Sequence, residues 1–506
     1  MAGHHHQQGA SSAPLHLLVF PWLAFGHLIP FLELSKRLAA RGHFVTFVST
    51  PRNVARLPPV PAGLSGRVRI VALPLPAVDG LPEGAESTAD LPPDKVELLK
   101  AAFDGLAAPF AEIFAAACSG DGSGEQAEFG RRPDWIVLDF AHYWLCAIAE
   151  QHQVPCAMFG IFTGSALAYV GSRRENISHP RVSVDDFMPM PTWFPSPSSL
   201  SFRRQEAAWM SAGFRPNASG VSDIERVWRT EERCRLLLFR SCPEVEPLVF
   251  PLLADIYRKP VVPAGLLLPE DGRPDGGDHD DDSADIIRSG ALHWLDEQPP
   301  GSVLYVALGS EAPVTVEGVH ELAAGLELSE ARFLWALRLP SGGGAASEAT
   351  GAPSPPLLPD GFEARTRGRG AVCTGWVPQV MVLAHAAVGA FLTHCGWGSV
   401  TESLRFGHPL VMLPFITDQG LIARIMADRG VGVEVARRDD GAFSRDDVAE
   451  AVRRVMVEQE GKTLALNARR LRELVVGDDG GRQERYVDEL VECFRRHSFN
   501  DSALRN

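Results

Sequence analysis

The feature that most restricts the fold is an alternation of short apolar runs with segments of helical periodicity, present in both halves of the chain and interrupted near its middle. Residues 15–20, broken only by His16, suit a strand buried on both faces. After Gly26, the residues Leu28, Phe31, Leu32, Ser35, Leu38 and Ala39 share one helical face, Gly42 is placed to end that helix, and residues 44–49 form the next β-rich run. This is a βαβ unit. Strand-like runs recur at residues 68–73, 135–139 and 156–159, and residues 96–116 suit a helix. Such an alternation predicts a doubly wound parallel sheet.

The interruption falls between Lys259 and Ile286, where Pro260, Pro263, Pro269 and Pro274 are interspersed with glycine and residues 278–282 read Asp-His-Asp-Asp-Asp. This composition predicts a linker carrying a solvated acidic loop. The alternation then restarts, with strands expected at 302–308, 333–337, 388–393 and 409–413 and a helix at 316–328. A chain of 506 residues accommodates two domains of roughly 200–250 residues each. The expected division is a disordered leader at 1–13, including His4, His5 and His6, a first domain at 14–262, a linker at 263–290, a second domain at 291–483 and a terminal helix at 484–506 packing back on the first domain. Residues 119–130 and 341–356, rich in small residues, are expected to be surface loops.

Composition excludes several classes. A hydrophobic fraction of 45% with 22% charged residues fits a soluble globular protein. A net charge of −15 without a dense Lys/Arg cluster opposes nucleic acid and anionic membrane surfaces as partners. The apolar run 15–25 is about half the ~20 residues that span a bilayer, contains Pro21 and has no basic segment before it, so no stable membrane insertion is expected. The eight cysteines are scattered without a CxxC, as reduced thiols of a cytoplasmic protein would be.

Tandem parallel-sheet domains bind ligands in a crevice at the carboxyl ends of their strands. In the second half, the strand Val388–Thr393 runs into His394-Cys395-Gly396-Trp397-Gly398-Ser399, with a helix expected from about Thr401 and Glu402 in its first turn. A Gly-rich turn opening a helix aims several backbone N–H groups at one point, which suits a pyrophosphate. Glycines in such loops also serve merely to relieve backbone crowding, and Trp376 is equally compatible with a core position.

The ordered set Trp376-Val377-Pro378-Gln379, His385, Thr393 through Trp397, Glu402, Gly407, Pro409, Pro414 and Asp418-Gln419 resembles the signature box of the plant secondary-product glycosyltransferases, family 1. The resemblance implies an α/β fold of GT-B type, with two Rossmann-like parallel-sheet domains facing a central cleft. The first domain would bind the acceptor and the second a UDP-sugar. It further implies that Trp376 stacks on uracil with Val377 and Gln379 beside it, and that Glu402 accepts the ribose hydroxyls. His394, Ser399, Ser310 and the Trp397 backbone would hold the diphosphate, and Asp418 and Gln419 the sugar. Gly398 departs from the pattern, which usually has Asn there, so one donor contact is missing. Gln419 favours UDP-glucose by family habit, with UDP-rhamnose as the alternative.

Transfer of a sugar to a hydroxyl needs a base that is neutral near pH 7, and histidine meets that demand. His27 follows the first strand at the edge where the crevice opens, and Asp139 ends the strand at 135–139. Position alone also allows a capping role for either residue. The resemblance assigns His27 as the base and suggests Asp139 as its orienting carboxylate, in an inverting displacement that needs neither a metal nor a cofactor beyond the UDP-sugar co-substrate. An oxidoreductase with tandem βα units would instead carry GxGxxG directly after a strand, which is not seen at Gly26 or Gly309.

Residues 21–30, 73–88 and 361–366 most resemble the branch-forming members of the family, which lengthen an existing glycoside. The implied acceptor is a small-molecule terpenoid or flavonoid glycoside, extended by a 1→2 linkage, with an aglycone hydroxyl as the alternative. Phe25, Tyr143, Trp144 and Phe162 are the expected acceptor-lining residues, and the enzyme is expected to act as a monomer.

Overall fold

A computed structural model describes residues 13–119, 131–195, 200–268, 290–309, 312–338, 356–375, 377–477 and 481–498. Ser310, Trp376, the acidic run 278–282, His4–His6 and most of the two expected surface loops lie outside the described residues.

The first half forms a seven-stranded sheet with the order β3-β2-β1-β4-β5-β6-β7, all neighbours parallel. Its strands are β1 (His16–Phe20), β2 (Phe44–Ser49), β3 (Val68–Ala72), β4 (Trp135–Leu138), β5 (Cys156–Gly160), β6 (Leu236–Phe239) and β7 (Val261–Pro263). The second half forms a six-stranded parallel sheet with the order β10-β9-β8-β11-β12-β13. Its strands are β8 (Val303–Ala307), β9 (Arg332–Leu337), β10 (Gly370–Thr374), β11 (Val388–Thr393), β12 (Leu410–Met412) and β13 (Gly432–Glu434). β1, β4, β5, β8 and β12 are buried along their whole length, as expected for strands covered by helices on both faces.

Both sheets reverse direction at an equivalent place. In the first, β1 lies beside β4, with Phe20 opposite Leu138. In the second, β8 lies beside β11, with Ala307 opposite Thr393. At such a switch point successive connections leave toward opposite faces and open a crevice beyond the strand ends. The fold thus supplies two crevices, one per sheet.

Two helical expectations change. The segment 96–116 is not one helix but two, Val96–Asp104 and Ala107–Ser119, separated at Gly105, where a Cβ would come within 2.9 Å of Pro76. The stretch Pro93–Ser119 is long and apolar enough to cross a membrane by length and composition, yet Leu99, Phe103, Leu106, Phe110 and Phe114 are packed into the first domain's core. The helix after β11 starts at Trp397 rather than near Thr401, so Glu402 lies in its second turn. Gly398 there adopts helical backbone, which the Gly-rich spelling hides.

The terminal helix Arg482–Arg496 lies against the first sheet. Val487, Leu490 and Phe494 join Leu17, Val19 and Trp135 in one cluster, and Trp135 Nε1 donates to the Phe494 carbonyl at 3.0 Å. Arg37 of the helix Phe25–Ala40 and Arg41 just beyond its end reach Glu484 at 2.7 and 2.9 Å.

Candidate active site

The first crevice is built by the residues that follow β1 and β4. Asp139 comes immediately after β4 and is fully buried, and three N–H donors converge on it. His27 Nδ1 lies 2.6 Å from Oδ2, the Trp22 amide donates to the same oxygen at 3.0 Å, and the Phe140 amide donates to Oδ1 at 2.7 Å. Burial pushes the Asp139 carboxyl up, but the His27 ring and the Trp22 amide outweigh it and hold the carboxyl below its ordinary range. An ionised carboxylate at this position fixes the His27 ring with Nδ1 protonated and leaves Nε2 free to accept a proton. The His27 side chain is 17% exposed, so the ring is reachable. Asp134, at the far end of β4, instead accepts from the His16 amide.

Beneath this pair, His142 is buried against Phe20 and Phe103, with ring centroids 4.7 Å away in each case. Its Nε2 has no partner, and burial drops its pKa to about 3.

The second crevice is built by the residues after β8 and β11. His394 directly follows β11. Its ring occupies space that two glycines leave open: a Cβ on Gly309, whose φ is +78°, would lie 2.8 Å from Cε1, and a Cβ on Gly396 would collide with Nε2. Burial lowers the His394 pKa to about 4, so the ring is neutral at pH 7, and Nδ1 has no partner among the described residues. Cys395, between them, has a φ of +66°, and Thr417, just before Asp418, one of +55°. Both are left-handed positions in non-glycine residues, and both border this crevice, where such strain is commonly retained for function.

Trp397, Gly398 and Ser399 form the first turn of the helix Trp397–Phe406, whose leading amides have no intrahelical acceptor. Gln379 Nε2 donates to Glu402 Oε2 at 2.7 Å and to Ser399 Oγ at 3.2 Å, so Gln379, Ser399 and Glu402 form one polar group. Burial raises the Glu402 pKa, opposed by Gln379 and by Arg240. Val377 is buried in the second domain's core, and the Trp397 ring donates its Nε1–H to the Arg240 carbonyl of the first domain at 2.6 Å.

Asp418 and Gln419 stand at the start of the helix Gln419–Asp428. Gln419 Oε1 accepts from the amides of Phe415 and Ile416 at 2.9 and 3.1 Å, which directs its amide nitrogen away from its own loop. Burial raises the Asp418 pKa, opposed by the Thr417 hydroxyl. The Trp397–Arg240 and Arg424–Glu206 hydrogen bonds join the two domains beside these residues, and the two crevices face one another across a single cleft.

A groove of about 840 Å³ adjoins this cleft, walled by Thr88, Leu91, Trp209, Pro313, Ile416 and Thr417 among others. It borders both crevices, because the Thr88 amide bonds the Leu23 carbonyl at 3.0 Å and Thr417 adjoins Asp418. None of the four aromatic residues expected to meet an acceptor lines it. Trp144 packs among Phe20, Phe103 and Phe110, and Phe162 lies against Phe239. The Tyr143 hydroxyl donates to Asp104 at 3.3 Å beside Arg226, and Phe25 lies under the Arg56 guanidinium. The groove walls and Arg240 have no sequence signature, because they meet the site only through chain folding. Among the described residues, no three His, Cys, Asp or Glu side chains are grouped to hold a metal ion.

Comparison with known proteins places the fold and the family. The family profile described as UDP-glucoronosyl and UDP-glucosyl transferase matches residues 292–474. UDP-glycosyltransferase 91C1 of Arabidopsis thaliana is 41% identical over 97% of this chain and 98% of its own. Soyasaponin III rhamnosyltransferase of Glycine max is 35% identical over 96% of this chain and 97% of its own. The crystal structure of TcCGT1 in complex with UDP superposes with a TM-score of 0.74 at 23% identity, covering 96% of this chain and all (100%) of the other, and so shares the fold. The chain is a glycosyltransferase of GT-B fold and belongs to the plant family 1 UDP-glycosyltransferases.

Proposed function

We propose that this enzyme transfers glucose from UDP-glucose, with inversion and without a metal, to a sugar hydroxyl of a terpenoid or flavonoid glycoside, forming a 1→2 branch. The observation that carries this reading is the His27–Asp139 pair, which is oriented at 2.6 Å with the His27 ring open to the cleft. In the reaction, His27 Nε2 takes the acceptor's hydroxyl proton as the oxygen attacks the anomeric carbon, and the Asp139 carboxylate stabilises the resulting imidazolium. The bond to UDP breaks on the opposite side of the anomeric carbon. The first-turn amides of the helix Trp397–Phe406 and the Ser399 hydroxyl receive the charge that develops on the diphosphate.

The donor roles in this reading are those the family resemblance implies. Glu402 and Gln379 are the ribose partners, His394 and Ser399 hold the diphosphate, and the free amide of Gln419 together with Asp418 binds the sugar. Trp376 and Ser310 complete the uracil and diphosphate contacts in this reading. The 840 Å³ groove is large enough for the glycosylated part of an acceptor, which supports a glycoside over a small aglycone. The similarity to a protein named for rhamnosyl transfer makes UDP-rhamnose the competing donor. The enzyme is proposed to act as a cytoplasmic monomer.

The test is to incubate the protein in EDTA with UDP-glucose or UDP-rhamnose and a panel of terpenoid and flavonoid glycosides and their aglycones, then identify products by mass spectrometry. A hexose added to a glycoside with EDTA present is expected. Preference for UDP-rhamnose would reassign the donor, conversion of aglycones alone would reassign the acceptor, and loss of turnover in EDTA would overturn metal independence.

A further inference from the structure

Arg240 follows β6 in the first domain, yet it is bound chiefly to the second. Its Nη2 donates to Thr401 Oγ1 at 3.0 Å, and its carbonyl accepts from the Trp397 ring at 2.6 Å. Its Nε donates to the carbonyl of Leu266, in the stretch that connects the two domains, at 2.8 Å. The residue is only 6% exposed. Its remaining amino group, Nη1, has no hydrogen-bond partner among the described residues, and it lies 3.7 Å from the point a Cβ on Gly398 would occupy. The guanidinium thus keeps one N–H group free of protein partners on a residue that is otherwise buried. Glu402 and Glu33 lend it only long-range support, and burial draws its pKa down to about 10, so it stays charged at pH 7.

That amino group is directed at the first turn of the helix Trp397–Phe406, where the proposed donor site needs a counter-charge. The other side chains there do not supply one. His394 is neutral at pH 7, and Ser399 offers a hydroxyl. Glycine at 398 leaves no side chain between Nη1 and the leading amides of the turn.

We propose that Arg240 is a direct ligand of the donor's diphosphate, with Nη1 reaching over Gly398 to a phosphate oxygen. The inference rests on the UDP-sugar reading and adds to it a cation that the first domain delivers to the helix terminus. It gives a reason for the enzyme to tolerate glycine at 398, since the arginine occupies the approach a side chain there would take. It also makes the diphosphate a tie between the domains, held by Arg240 on one side and by the turn at Trp397 to Ser399 on the other.

The experiment compares uridine, UMP and UDP binding by titration calorimetry to the full-length wild type and to Arg240→Met and Arg240→Gln, with thermal melting of each. The glutamine variant would retain a donor for the Leu266 carbonyl, so one variant remains informative should the other fail to fold. A lost charge-assisted hydrogen bond predicts UDP affinity lower by about 10- to 100-fold, with uridine changed less than about threefold. A structural pin alone would disturb Thr401 and its neighbour Glu402, and so would weaken uridine and UDP together; that result, or no change in either, overturns the proposal. A wild type that binds UDP no better than uridine would instead overturn the donor reading itself.

Discussion

Replacing Asp139 with asparagine keeps the side chain's shape and removes its charge, so it isolates what the carboxylate does. In the structure three N–H donors point at two oxygens: Phe140 at 2.7 Å on Oδ1, Trp22 at 3.0 Å and His27 Nδ1 at 2.6 Å on Oδ2. An amide has one oxygen. If that oxygen stays on Phe140, the new NH₂ group faces the Trp22 N–H, and His27 must turn Nδ1 into an acceptor, which puts the proton on Nε2 and disables the base. If the oxygen turns to His27 and Trp22, the tautomer survives, but the imidazolium loses its counter-charge and the NH₂ group opposes the Phe140 amide. Either way one buried backbone donor is left unpaired, costing about 1–3 kcal/mol of stability. For the wrong tautomer, precedent in an unrelated enzyme places the rate loss near 10⁴-fold, so kcat/KM is expected to fall by about 10³-fold or more. The assay is initial-rate UDP release with a saturating acceptor, together with the UDP Kd, which should not change because neither Asp139 nor His27 is a ligand of the nucleotide in this reading. The double variant with His27→Ala should be no slower than His27→Ala alone, since the two residues act as a unit. A folded Asp139→Asn enzyme within about fivefold of wild-type kcat/KM would refute the reasoning.

Two further outcomes are expected. His142 has a pKa of about 3 in the fold against an ordinary 6.5, so between these values the unfolded chain binds a proton that the folded chain refuses, and stability falls as pH drops. At pH 5 the loss is about 2 kcal/mol relative to pH 7.5, and urea unfolding of His142→Phe should show a correspondingly flatter acid limb. Gly396→Ala places a methyl group into the His394 ring and should raise the donor KM about tenfold or more, measured with UDP-glucose at fixed acceptor.

Much of this arrangement was legible in the sequence. The runs that became β1, β2, β5, β8 and β11 are apolar throughout or nearly so, because strands covered on both faces leave no polar position to blur them. β10 and β13 were not anticipated: Gly370–Thr374 is built of small residues and only half buried, and Gly432–Glu434 is three residues long. β6, four apolar residues between Arg235 and Arg240, is as apolar as the other central strands but is short and has no turn residue directly before it. The helix start at Trp397 was concealed because two glycines there spell a loop, although the backbone is already helical. His27 and Asp139 stand at strand ends and take their expected roles from the family resemblance, but their 2.6 Å contact across 112 residues follows from β1 pairing with β4. Arg240 and the groove around Trp209 could not be placed beforehand, since what each residue meets belongs to the opposite domain.

The most direct test of the central claim is the stereochemistry of the product formed by the wild type and the rate retained by His27→Ala. With UDP-glucose, an α-linked donor, NMR of the isolated product is expected to show a new β-glucosidic linkage on the acceptor's sugar, and His27→Ala should lose turnover by about 10²-fold or more while still binding UDP. An α-linked product, or a His27→Ala enzyme that works at close to the wild-type rate, would contradict the account.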